Sequence, residues 1–500
     1  MKLFSVDQIR AWDKFTIANE PIASIKLMER AAKACSKWIS SHYPAGTSFI
    51  IICGKGNNGG DGLAIARMLQ EKFSGVSTYV IEDGSRSEDF DINFDRLTKV
   101  SKEIFFIIEN EDLPLISNCV VIDAIFGTGL SKKPAKLYKD LIKHINANAQ
   151  DVISIDIPSG LYADKLTDHE LVVEATTTLS FQSYKLAFLI PDSAIYCGKV
   201  VILDIDLSEK YEEDNQSEYE MVDLQMICEI YRKRNDFSNK GDYGYACLLA
   251  GSYGMMGAAV LSSLACLRSG VGKLSSVIPS CGYEILQSVV PEAMCNTSGT
   301  RFVKNIKDYQ KYDVIGFGPG IGKHATHKIW IRELFTKYKK PLIIDADALN
   351  ILSELPTLLS NIPAGSIITP HPKEFERLFG PAKSGWERIS QVKKYSKKLQ
   401  IYIVLKGHYT FIASPNGKYF FNSTGNAGMA TAGAGDVLTG IITGLVAQGY
   451  DQLEACQLGV YLHGLAGDIA EKKTSKESLI AGDIINSMGD GFKFIEDSCL

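Results

Sequence analysis

Glycines, one aspartate and an apolar run are gathered in Gly425-Asn-Ala-Gly-Met-Ala-Thr-Ala-Gly-Ala-Gly-Asp-Val-Leu-Thr-Gly440. The segment Val437 to Ala447 reads as a helix, so the glycines form the turn leading into it. Backbone N–H groups at a helix start can hold a phosphate, and glycines let that phosphate come close. Asp436 would repel the anion; its place at the junction suits a general base acting on a hydroxyl beside it. A turn with a capping aspartate is the structural alternative. Sixteen residues of such biased composition favour nucleotide-assisted chemistry on a hydroxyl.

A second glycine loop, Gly54-Lys-Gly-Asn-Asn-Gly59, lies between a strand-like and a helix-like run. It matches Gly-x-Gly-x-x-Gly, and Glu82 follows where a dinucleotide enzyme would hold a ribose. A motif scan would therefore return an NAD-dependent dehydrogenase. Charge argues against that: beside Asn57, Asn58, Gly59 and Gly60, an ionised Asp61 at the helix start would repel a pyrophosphate. Amide oxygens and a carboxylate suit a monovalent or hard cation and a polar substrate. Two more strand ends carry similar chemistry, Asp123-Ala-Ile-Phe-Gly-Thr-Gly129 and Asp156-Ile-Pro-Ser-Gly160. Strand carboxyl ends converge on one crevice in an open parallel sheet. Each Asp alone reads as a turn or cap; three at equivalent positions predict a shared site.

The elements that must position these groups alternate. Strands are expected at Phe49–Cys53, Val76–Ile81, Val120–Ala124 and Val152–Ile155, with helices over Leu63–Lys72 and Pro134–Ile145. Before them, Ile25, Met28, Ala31, Ala32, Cys35 and Ile39 recur at helical spacing. A second alternating series runs through Tyr245–Ala250, the helix Ala258–Ser269, Leu274–Ile278, Val314–Phe317, Leu342–Ile344, Ile367–Thr369 and Ile401–Leu405. Such alternation predicts α/β architecture with parallel sheets. Five hundred residues exceed one ordinary core. The acidic stretch 208–220 has little to bury, so we expect domains over 1–207 and 221–500 joined by it.

Hydrophobic residues make up 45% and charged residues 22%, with a net charge of −5. That is a soluble globular composition with no general reason to bind nucleic acid. Eleven scattered cysteines read as small buried hydrophobes of a reducing compartment, neither disulfides nor zinc ligands. With no membrane-length apolar run and no apolar signal region at the start, the expected location is the cytoplasm.

The glycine-rich turn resembles the ribokinase-like superfamily, where Gly-x-Gly-Asp precedes a helix. Lys406-Gly-His-Tyr-Thr410, Thr369-Pro-His-Pro-Lys-Glu374, Asp345-Ala-Asp-Ala-Leu-Asn350, Gly318-Pro-Gly-Ile-Gly322 and Gly251-Ser-Tyr-Gly-Met-Met-Gly-Ala-Ala259 are similar to the ADP/ATP-dependent NAD(P)H-hydrate dehydratases. The three N-terminal motifs resemble the NAD(P)H-hydrate epimerase family over roughly residues 1–210. The resemblance implies a Rossmann-like three-layer domain followed by a ribokinase-like α/β/α sandwich. It also implies repair of a hydrated reduced nicotinamide: the first half interconverts R and S epimers, and the second dehydrates S with ADP or ATP and magnesium.

Carried over, the resemblance makes Asn58, Asp123 and Ser159 potassium ligands, and Asn57 to Asp61, Gly127, Thr128, Gly129, Leu130, Ser131, Lys132, Lys133 and Asp156 the epimerase site. Asp156 would be its catalytic carboxyl. Ala258, Gly320, His371 and Asp436 would touch the hydrate in the dehydratase, Asp436 as base. Lys406, Gly407, His408, Tyr409 and Thr410, with Asn426, Ala427, Gly428, Met429, Ala430, Thr431, Ala432, Gly433, Ala434 and Gly435, would contact the nucleotide. The chain departs from many relatives at Ser238-Asn-Lys-Gly241, where they carry His in place of Asn239. A kinase of small alcohols such as vitamin precursors, with a non-catalytic N-terminal binding module, is the competing reading. The Asn-x-x-Glu magnesium motif frequent in sugar kinases is absent after the acidic stretch. The residues do not decide between ADP and ATP, or between NADH and NADPH hydrates. Ribokinase-like dehydratases often form homo-oligomers, which by analogy extends to this chain.

Overall fold

The computed structural model describes residues 1–82 and 84–499. Lys2–Glu218 form one compact unit, and the chain from Tyr219 onward forms a second.

In the first unit the strands are β1 (Ser48–Cys53), β2 (Gly75–Ile81), β3 (Ile104–Ile107), β4 (Val120–Ala124), β5 (Val152–Ile155), β6 (Thr177–Phe181) and β7 (Lys199–Leu203). They lie in the order β3-β2-β1-β4-β5-β6-β7, every pair parallel. Phe49–Cys53 of β1 and Val120–Ile122 of β4 read as apolar runs because helices cover both faces of such a sheet. One layer is the helix Ser24–His42, which buries Met28, Ala31, Ala32, Cys35 and Ile39 as its spacing predicts. The strand order reverses between β1 and β4, which opens the crevice there.

The acidic stretch is not a free connection. Residues 209–214 form a helix inside the first unit, and its Tyr211 is buried among Phe4, Trp12 and Phe15. Trp12 Nε1 donates to Ser208 O at 2.8 Å. The acids face outward while one aromatic ring anchors the segment, which composition alone does not disclose.

The second unit contains β8 (Tyr219–Val222), β9 (Tyr245–Leu249), β10 (Lys273–Ile278), β11 (Met294–Thr297), β12 (Val314–Phe317), β13 (Leu342–Ile344), β14 (Ile367–Ile368), β15 (Tyr402–Leu405), β16 (Phe411–Ala413) and β17 (Tyr419–Asn422). Their order is β8-β17-β16-β15-β14-β13-β12-β9-β10-β11. From β11 to β15 all neighbours are parallel; the hairpin β15-β16-β17 is antiparallel. Val314, Ile343, Ile367 and Val404 pack on one face with the helices Met256–Arg268, Ala434–Ala447 and Gln452–Lys473. On the other, Phe317 meets Trp330 and Phe335 of the helix Ala325–Lys337. Both faces are covered, giving the α/β/α sandwich.

One cysteine expectation is corrected. Cys228, on the helix Leu224–Ile230, is disulfide-bonded to Cys499 across 271 positions. Spacing cannot show this, because only folding brings the last helix (Ala481–Ser498) against Leu224–Ile230. Cys53 and Cys247 are buried free thiols as expected, while Cys119 is only half-buried. Among the described residues, no helix is long and apolar enough to cross a membrane.

Candidate active sites

A cavity of about 880 Å³ opens at the β1–β4 switch. The helix Asn57–Leu69 starts directly after β1, six residues before the apolar signal suggests, because glycine and asparagine in its first turn hide its beginning. A Cβ on Gly54 would stand 2.1 Å from Ile125 O, and one on Gly59 1.6 Å from Gly54 O. Only glycine lets this loop close on the end of β4.

Asn57, Asn58, Asp61, Gly127, Thr128, Gly129, Leu130, Ser131, Lys132 and Asp156 line the cavity. Gly59 and Gly60 lie behind it, against Gly54 and the Met28 thioether, and Lys133 is outside the lining. Asp123 is fully buried and accepts from Ser159 Oγ (2.5 Å), Ser154 Oγ (2.7 Å) and Ser159 N (2.9 Å). Burial pushes its carboxyl up, and those hydrogen bonds pull it back. The Asn58 amide nitrogen and oxygen are both buried without a protein partner. A buried amide oxygen left free in this way fits a cation ligand.

Asp156 holds a left-handed backbone, φ +67°, a conformation Asp tolerates better than most residues but still at a cost. Thr128 N donates to its Oδ2 at 3.0 Å, and Lys185 Nζ pairs with its Oδ1 at 2.9 Å. Lys185 is 1% exposed. Neither Lys185 nor the cavity residue Asp13 was singled out from the sequence. The available signal was Asp13 in the apolar stripe Ile9, Trp12, Thr16 of the first helix.

Burial, then Asp156, Asp13 and Asp89, push Asp61 well above the usual carboxylate range. That shift weakens Asp61 as the source of the charge repulsion expected against a dinucleotide. Glu82 supplies the stronger objection: it is engaged by Lys55 (2.7 Å) and Arg86 (2.6 Å).

In the second unit the quoted motifs gather at the carboxyl ends of β9, β12, β13, β14 and β15. Helix Ala434–Ala447 starts at Gly433, whose φ of +90° is natural only for glycine. Asp436 sits in its first turn. Burial, then Asp345, raise its carboxyl to about 7 against the pull of Lys406. A base with that affinity is matched to neutral pH.

Lys406 Nζ donates to Asp345 Oδ1 at 2.9 Å, and Thr439 Oγ1 donates to Asp345 Oδ2 at 2.7 Å. A Cβ on Gly435 would lie 3.3 Å from Lys406 Nζ, so the lysine stands against the glycine turn. Gly407 and Thr410 close the turn after β15 through the Thr410 hydroxyl, and His408 and Tyr409 stack edge to face between them. Asn426 caps the short turn Ala427–Met429 and, with Gly425, is held by Asp468. Ala430 to Ala432 continue from there to Gly433.

Ala258 and Gly320 come together: a Cβ on Gly320 would be 2.9 Å from Ala258 Cβ. Gly322 N donates to Asp347 Oδ2, tying this turn to the one beside Asp345. His371 Nδ1 accepts from Lys373 N and Glu374 N, capping the helix Pro372–Phe379. Its Nε2 stands 3.6 Å from Glu374 Oε1, and burial lowers its proton affinity. His463, also unread from the sequence, is half-buried near Ala434, and withdrawal of its ring from water pushes it down to about 4.

The two units define a class: a Rossmann-like domain with a carboxyl-lined crevice, fused to an α/β/α domain with a carboxyl, Asp436, at a glycine turn that opens a helix. Residues 24–187 match the YjeF-related protein N-terminus family, and 246–488 the NAD(P)H-hydrate dehydratase family. The bifunctional NAD(P)H-hydrate repair enzyme Nnr of Moorella thermoacetica is 32% identical over 97% of this chain and 96% of its own length. That of Thermofilum pendens is 31% identical over 99% and 97%. The ADP/ATP-dependent NAD(P)H-hydrate dehydratase of Bacillus subtilis, co-crystallized with ATP/Mg2+, is 30% identical with a TM-score of 0.50, over 55% of this chain and 98% of its own. The chain belongs to the bifunctional NAD(P)H-hydrate repair enzyme family.

Proposed function

We infer that this protein repairs NADH and NADPH hydrated at ring carbon 6, interconverting the R and S epimers in its first unit and dehydrating S in its second. The observation that carries the reading is Asp436, held near neutral affinity at a glycine turn that also meets Lys406. Hydroxide leaves carbon poorly, and phosphorylation converts the hydroxyl into a good leaving group. Asp436 takes the hydroxyl proton as the oxygen attacks the terminal phosphate. The N–H groups of Gly433 to Gly435 face the charge that develops, and Lys406 steadies the phosphate. Residues 406–410 and 426–435 hold the nucleotide, ADP or ATP, with its magnesium; Ala258, Gly320 and the Nε2 face of His371 hold the hydrate.

In the first unit Asn57, Asn58, Asp61, Gly127 to Lys132 and Asp156 hold the hydrate, and Asp156 assists hydroxyl departure and return. Asn58, Asp123 and Ser159 would bind potassium, which supplies a fixed positive charge at the loop; the unpartnered Asn58 amide supports this set. The reading includes action in the cytoplasm and assembly with copies of itself.

The test is the intact protein with an R/S mixture of hydrated NADH, magnesium, potassium and either ADP or ATP. Near-complete recovery of the dihydronicotinamide absorbance supports both activities and identifies the nucleotide. Recovery that stops at the S fraction leaves a dehydratase alone. A stable phosphorylated alcohol without recovery supports the kinase reading.

A further inference from the structure

The first helix brings into the N-terminal cavity a carboxyl that no strand-end motif contains and that lies outside the matched residues 24–187. Asp13, on the helix Val6–Asn19, lines the cavity with Asp61, Asp156 and Lys185. Among the described residues, no hydrogen bond engages its carboxyl, although Trp12 and Thr16 beside it on the helix are buried. Asp13 is half-buried, and a carboxyl drawn partly out of water without a protein donor costs stability, so a purely structural role explains it poorly.

Asp156 is held very differently. Lys185 Nζ donates to Ser180 Oγ (2.6 Å) and Phe181 O (3.1 Å) and forms an ion pair with Asp156 Oδ1 (2.9 Å). Thr128 N fixes the second oxygen. One carboxylate is therefore locked into an ion pair, and the other is free to carry a proton. Such a pair, with environments pushed apart, is how an acid and a base are assigned in one pocket.

We propose that Asp13 is the proton donor of R-to-S exchange and that Asp156, fixed by Lys185, is the acceptor. The proposal rests on the epimerase reading. Asp13 gives its proton to the hydroxyl oxygen on ring carbon 6. The C–O bond breaks, its electron pair leaves with water, and the ring nitrogen's lone pair forms the C=N bond. Water adds to the other face of carbon 6, the C=N pair returns to nitrogen, and the excess proton passes to Asp156. Each exchange moves one proton from Asp13 to Asp156, and solvent returns it; S-to-R exchange uses the same groups reversed.

The electrostatics agree. Burial, then Asp156, lift Asp13 to about 6 against the pull of Lys185. The other charged groups facing the cavity are Asp61, Asp89, Arg10, Lys14, Lys55 and Lys132.

On the intact enzyme, Asp13→Asn should slow R-to-S exchange by about 100-fold or more, with the change in kcat rather than KM. Dehydration of pure S hydrate should stay within about twofold, since it occurs in the other unit. Wild-type exchange, corrected for the spontaneous rate, should fall about tenfold per pH unit above roughly 6–7. Asp13→Glu should restore part of the rate and move that limb. In 18O-water the S product should carry one label. Exchange in Asp13→Asn within about threefold of a wild type that does accelerate it overturns the donor role and leaves the epimerase reading standing. A wild type that does not accelerate exchange defeats the epimerase reading itself. Unlabelled product overturns the C–O step. Should Asp13→Asn fail to fold, Asp13→Glu decides, and a limb that does not move overturns the proposal.

Discussion

Replacing Asp436 by Asn should stop dehydration and stabilise the fold in the same stroke. Burial comes first, then Asp345, with smaller contributions from Asp347 and Glu374, in holding this carboxyl near 7 instead of the ordinary 3.8; Lys406 opposes them. The folded chain thus binds this proton more tightly than the unfolded chain. The resulting stabilisation is complete below about pH 4 and is lost as pH rises through about 7. Each tenfold change in proton affinity is worth about 1.4 kcal/mol, so the loss approaches ~4 kcal/mol above neutrality. Partial solvation and local relaxation reduce this to roughly 2 kcal/mol. Asparagine keeps the shape and has no charge to bury, so the variant avoids the loss. About 2 kcal/mol in a unit of this size is ~4–8 °C in melting midpoint. The assay is thermal unfolding of both intact proteins without nucleotide, from about pH 5 to about pH 8.5. The two should diverge with pH and run parallel above about 7. Dehydration of S hydrate should drop about 10²–10⁴-fold. A variant no more stable than wild type at about pH 8.5, or an advantage indifferent to pH, refutes the reasoning.

Lys406→Ala leaves Asp345, 1% exposed, without its countercharge; we expect a loss of roughly 3 kcal/mol in urea unfolding of the second unit. Gly433→Ala forces a Cβ to 2.5 Å from Leu261 Cδ1 at φ +90°, which should cost about 1–3 kcal/mol and weaken nucleotide binding by calorimetry. Asn58→Ala should raise the potassium concentration needed for half-maximal exchange while S dehydration keeps its rate; an unchanged potassium curve removes Asn58 from the ligand set. Cys228→Ser should lower stability by about 2–4 kcal/mol and abolish the effect of reductant on the melting midpoint.

Sequence reading worked where burial writes itself into composition. β4, β5, β12 and β13 fall on the apolar runs that predict them, because a parallel strand covered on both faces has few polar positions, here Asp123 and Ser154. The glycine turn before Asp436 was legible for a related reason: few structures tolerate so many glycines unless something must come close. The first turn of Asn57–Leu69 was not, since tertiary packing there overrides poor helix formers. Lys185 and the Cys228–Cys499 pair were out of reach because each acquires its meaning from a partner far along the chain, while Asp13 left only the trace of a carboxyl in an apolar helix stripe. Asp156 stood in plain view as a turn residue, yet its ion pair with Lys185 exists only once β5 and β6 lie side by side.

The bond between Cys228 and Cys499 makes a closed ring of almost all of the second unit. Tension applied along the chain on either side of the bridge would pass across the sulfurs and bypass the strands from β9 to β17, which lie inside the ring. At up to ~3.5 Å per residue, the bypassed stretch is on the order of 900 Å of contour that cannot pay out while the bridge stands. A degradation motor that grips the C-terminus meets the same topology. It must draw two strands through its pore together, or halt until a thiol opens the ring.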